Sequence, residues 1–200
     1  MVTISESDMR FGEYREEDVF YIEKCEQYQN NLMPNGVKSW EFVLKRADTL
    51  YFVVGKTSCP NQITADSTEE KRKKYNEYIA EITDKMRHSL SLYANILLKR
   101  HDAIGVPEAL LETDLSEKSI KLVLVVKNAK TDWLIPLTDK LNKELKRESK
   151  IWKFADFYVI NEERARQKHF VIWYYSAGLY HAQIRVMCGY LDYILCLTCN

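Results

Sequence analysis

The run Leu122-Val123-Leu124-Val125-Val126 constrains this chain more than any other segment. An unbroken apolar stretch rich in β-branched residues does not fit a half-solvated strand, where polar and apolar side chains alternate. It predicts a central strand buried on both faces. Such a strand needs neighbours at its edges and helices over the sheet.

The neighbours are legible in the sequence. Val19-Phe20-Tyr21-Ile22 reads as a short strand, and Asn30, Asn31, Pro34, Asn35 and Gly36 mark a loop after it. Residues 38–45 and the segment from Leu50 to Gly55 read as two strands around a tight turn at Ala47-Asp48, hence an antiparallel hairpin. Ser67 or Thr68 suits the N-cap of a long helix, with Glu69 and Glu70 in its first turn. Tyr75, Ile79, Ile82, Met86, Leu90, Tyr93 and Leu97 then recur at helical spacing to about Arg100, before Gly105-Val106-Pro107 breaks the pattern. Asp132 is placed to cap a helix carrying Trp133, Leu137, Leu141 and Leu145. Phe157-Tyr158-Val159-Ile160 reads as a strand, and Asn161 as the cap of a short helix through Gln167.

The order β-β-β-α-β-α-β-α predicts an α/β fold. Its mixed central sheet comes from a three-stranded meander plus a crossover strand, flanked by helices. The domain is expected to span residues 1–170. Residues 171–200 form an apolar, aromatic C-terminal extension with Cys188, Cys196 and Cys199. Packing, oligomer contact and membrane association are all open for that extension.

With 200 residues, 46% of them hydrophobic, the chain can bury a sizeable core. Net charge is zero, so no partner follows from the total. Locally, residues 6–26 are acid-rich, while Lys71-Arg72-Lys73-Lys74 and the set Lys140, Lys143, Lys146, Arg147, Lys150, Lys153 are basic. Each basic set reads either as a solvated helix face or as a surface for phosphates. No signal sequence opens the chain, and no stretch reaches the roughly 18 apolar residues of a spanning helix. Five cysteines without scaffold spacing lead to the expectation of a cytoplasmic protein. Cys196-Leu197-Thr198-Cys199 lacks the second pair of a zinc site, and Gly55-Lys56-Thr57 lacks the upstream glycine of a phosphate-binding loop.

Two neighbouring strands carry the chemistry. Ser39-Trp40-Glu41-Phe42-Val43-Leu44 holds a carboxylate, and Phe52-Val53-Val54-Gly55-Lys56-Thr57-Ser58-Cys59-Pro60-Asn61 ends a strand in a lysine and two hydroxyls. This block resembles the core of the PD-(D/E)xK nuclease superfamily, in which an acid on one strand precedes acid-x-Lys on the next. Trp40-Glu41 stands at the Pro-Asp place, and Val54-Gly55-Lys56 at the acid-x-Lys place. The resemblance covers roughly residues 19–168 and implies a restriction-endonuclease-like core. It departs from the family where Val54 replaces the second acid.

In that family the acids hold Mg²⁺ or Mn²⁺, the ion polarises the phosphoryl oxygen, and the lysine stabilises charge or orients water. By resemblance, Glu41 would bind metal and Lys56 would act on the developing charge. Glu23 would be the substitute ligand, with Glu77 or Glu81 behind it. Three readings stay open: loss of strong catalysis with a retained binding or scaffold role, DNA or RNA being the partner that the resemblance implies; repair of the site by a neighbouring carboxylate; and an incidental lysine on an unrelated sheet. A non-catalytic interaction module, such as a homodimer formed through the tail or the long helix, is the alternative class. Glu41 itself reads equally as a solvent-facing strand residue.

Overall fold

In the computed structural model, which describes residues 1–154 and 157–172, the apolar run lies inside a strand flanked on both sides. The strands are β1 (Val2–Glu6), β2 (Met9–Tyr14), β3 (Val19–Phe20), β4 (Phe42–Arg46), β5 (Thr49–Lys56), β6 (Ser119–Val126) and β7 (Phe157–Asn161). The helices are α1 (Glu69–Leu97), α2 (Glu108–Leu111), α3 (Thr131–Glu144), α4 (Lys146–Trp152) and α5 (Glu162–Gln167). The central sheet runs in the order β3-β4-β5-β6-β7. Its first three strands form an antiparallel meander, and β6 and β7 join in parallel, as helical crossovers require.

Both faces of β6 are covered. Leu122, Leu124 and Val126 belong to the core with Ile79, Ile82 and Met86 of α1 and Leu137 and Leu141 of α3. Val123 and Val125 face a second core with Ile4, Met9, Phe11, Phe170 and Val171. The cover on that second face is the β1–β2 hairpin, which the acid-rich composition of residues 6–26 concealed. Its seam is closed by the Tyr14 hydroxyl donating to the Phe170 carbonyl at 2.7 Å and the Ile172 amide donating to Arg10 at 2.9 Å.

Several boundaries differ from the sequence expectation. The first sheet strand keeps only Val19 and Phe20, because Ile22–Lys24 turns into a 3-10 helix. The second begins at Phe42 rather than at residue 38, with Glu41 in a bend just before it. Thr68 caps α1, accepting from the Lys71 amide, and the helix ends at Leu97. Lys130, not Asp132, is the N-cap of α3, and Asp132 falls in its first turn. Asn161 caps α5 through the Arg164 amide, as its position suggests. The predicted extension 171–200 enters the described residues only at Val171 and Ile172, and its CxxC lies outside them. Among the described residues, no helix is long and apolar enough to cross a membrane.

Candidate functional site

Alternation along β5 sends Leu50, Phe52 and Val54 into the core under α1, with Lys56 last on the same side. Val54 is fully buried there. Lys56 Nζ reaches Glu81 Oε1 of α1 at 2.5 Å. Gly55, between them, points to the opposite face, where an added Cβ would stand 3.3 Å from the Phe11 ring.

The bend at Glu41 turns its carboxylate back onto β5. Glu41 Oε2 accepts from the Gly55 amide at 3.1 Å, so the side chain satisfies a backbone donor. The Glu41 carbonyl accepts from the Glu23 amide at 3.4 Å, which pins the 3-10 turn of Glu23 against the bend. Two residues far apart in sequence are thereby held at one place. Neither lies within a strand, in contrast to the expectation for Glu41, and Glu41 is only 4% exposed rather than solvent-facing.

A residue that the sequence reading passed over joins them. Lys85 of α1 places Nζ 3.1 Å from Glu23 Oε1 and 3.2 Å from Glu41 Oε1. Its side chain is 12% exposed, so the bridge is largely shielded from water. Glu81 and Lys85 stand one helical turn apart, and α1 therefore supplies a counter-charge to each part of the site. The signal for Lys85 was its place between Ile82 and Met86, a charge set into the apolar stripe of a helix. Glu77 does not join this cluster; it meets Lys73 at 4.0 Å on the exposed side of α1.

Burial pushes the Glu41 carboxyl up to about 7, Lys85 opposes that shift, and Glu23 adds to it. Burial alone would lower the Lys85 ammonium, but Glu41 and Glu23 outweigh it and hold Lys85 above its ordinary value. The cluster is thus a buried carboxylate, a half-buried one and an ammonium shared between them. Among the described residues, no group of three or more His, Cys, Asp or Glu side chains is placed to hold a metal ion.

In the Lys71-Arg72-Lys73-Lys74 run the lysines are exposed and Arg72 is tied to the preceding loop. Arg72 donates to the carbonyls of Thr64, Ala65 and Ser67, and Lys74 pairs with Glu70 at 2.6 Å. Comparison with protein-family models, curated proteins and solved structures gave no match.

Proposed function

We propose that this chain is a nucleic-acid-associated module with a restriction-endonuclease-like core of the PD-(D/E)xK type, whose metal-dependent phosphodiester hydrolysis is weak or lost. The observation that carries the loss of hydrolysis is the Lys85 ammonium within 3.2 Å of both Glu23 and Glu41. Glu23 and Glu41 come together beside the end of β5 that carries Lys56, yet the two acids already share a cation. Mg²⁺ needs oxygens at about 2.0–2.1 Å in near-octahedral array. Seating it between these carboxylates would displace Lys85 and leave an ammonium beside a divalent ion. Val54 offers no oxygen to offset that repulsion. The donor set as it stands does not fit the ion.

Three measurements test this reading. Purified protein and a Lys56→Ala variant are incubated with plasmid and single-stranded substrates in Mn²⁺. Equal background cutting by both is expected, and robust cutting by the parent chain alone would overturn the loss of catalysis. Binding is followed in parallel, where salt-sensitive affinity without turnover is expected. Absence of any affinity for DNA or RNA would return the chain to the class of protein-interaction modules. The double variant Val54→Glu/Lys85→Met supplies the missing acid and removes the competing cation. Mn²⁺ should raise its melting temperature while leaving the parent unchanged.

A further inference from the structure

The outer strand of the sheet borders a groove on the side away from the Lys85 cluster. β7 pairs only with β6 among the described residues, and a cleft of about 920 Å³ runs along it between α3 and α5. That volume lies near the upper end of the roughly 300–1,000 Å³ typical of ligand clefts. Its walls alternate cations and rings. The strand register sets Tyr51 beside Lys121 and Val123 beside Tyr158, so these side chains cross three adjacent strands.

Arg46, Lys121, Arg164 and Lys168 line the groove against two carboxylates, Asp139 and Glu163. Arg46 is held in place: it donates to the Lys168 and His169 carbonyls at 2.9 and 2.5 Å and lies 4.7 Å over the Phe170 ring. Lys121 Nζ stands 5.8 Å from the centroid of Tyr51. Arg164 and Lys168 are exposed, and neither has a salt-bridge partner among the described residues. Tyr158 is 40% exposed on the lining of the groove.

We infer that this groove binds single-stranded nucleic acid, with phosphates on Lys121, Arg164 and Lys168 and bases against Tyr51 and Tyr158. Cations interleaved with aromatic faces are the chemistry that holds an unpaired strand, since every base offers a π-face that a duplex keeps covered. An acidic peptide would meet the charges but leave the rings without a matching partner. The inference rests on the nucleic-acid part of the proposed function, but on other residues.

The test uses the full chain and a fluorescein-labelled oligo(dT) of roughly 12 nucleotides. Anisotropy titrations at several salt concentrations compare the parent with Lys121→Glu/Arg164→Glu, with Tyr158→Ala and with Lys73→Ala. The charge reversal should weaken binding at least tenfold and flatten the salt dependence. Tyr158→Ala should weaken it by roughly five- to hundredfold, and Lys73→Ala on the exposed side of α1 should leave it unchanged. Arg164 and Tyr158 are surface positions, and circular dichroism melts of the variants check that the fold is intact. Parent-like affinity in both groove variants overturns the groove while leaving nucleic-acid association standing. No binding by the parent overturns both, and displacement of the oligonucleotide by polyglutamate at equal charge concentration overturns the base-stacking assignment.

Discussion

Glu41 is a buried carboxylate held between the Gly55 amide and the Lys85 ammonium. Its nearness to Lys56 in the chain marked it, but its burial and its bond to the Gly55 amide follow from a bend that no local pattern announces. Lys85 was hidden for a different reason: a lysine on a helix is ordinarily a solvated charge, and only the tertiary fold turns this one onto two acids. The pair has a pH signature. With its carboxyl near 7 in the native state against 4.5 ordinarily, Glu41 keeps a proton that the unfolded chain has released between those values. The native state then binds more protons, so this residue's contribution to stability falls as pH rises through that window, by up to about 3 kcal/mol. Glu41→Gln should remove that slope. Urea unfolding at pH 5 and pH 7.5 checks it, and an undiminished slope in the variant would refute the assignment. Lys85→Met strips the bridge from a buried carboxylate and should cost about 3–5 kcal/mol above pH 7, less at pH 5 where Glu41 can take a proton. A cost independent of pH would mean that Lys85 acts through packing alone.

At the scale of elements, the parts with strong periodicity were legible. The apolar run of β6, the stripe along α1 and the tight turn between β4 and β5 each carry a pattern that burial imposes directly on sequence. The β1–β2 hairpin was not legible, because short strands interleaved with Glu6, Asp8 and Glu13 read as an acidic surface. Its docking leaves a mark on β5, where Gly55 faces Phe11 and Met9. Phe11 is fully buried and packs edge-on against Phe42 with centroids 5.4 Å apart, so it has little room to move. Gly55→Ala should therefore cost about 1–3 kcal/mol through overpacking. Gly55 also donates to Glu41, and the same displacement should loosen the Lys85 bridge. A thermal melt of the variant within a degree of the parent would mean that the hairpin is free to shift.

The molecule as a whole divides its sheet between two tasks. The α1 face spends its charges inward, on the Glu23–Lys85–Glu41 bridge and the Lys56–Glu81 pair, whereas the opposite face is closed by the two ends of the described chain meeting each other. The hairpin at residues 2–14 and the stretch at 170–172 are joined by the Gly12 amide on Phe170, the Tyr14 hydroxyl on the same carbonyl and the Phe11–Val171 bridge. Both ends contribute to one core with Phe42, Val53, Val123 and Val125. Phe11 sits at its centre, and Phe11→Ala should cost about 3–5 kcal/mol. A chain beginning at Arg15 loses that residue together with Ile4, Met9 and Tyr14, uncovering the part of the sheet on which the hairpin packs while the α1 side stays packed. Such a sheet should keep its far-ultraviolet circular dichroism, lose a sharp melting transition and bind the dye ANS, the behaviour of a compact state without fixed packing. A truncated chain that melts cooperatively near the parent temperature would show the hairpin to be an accessory rather than half of the second core.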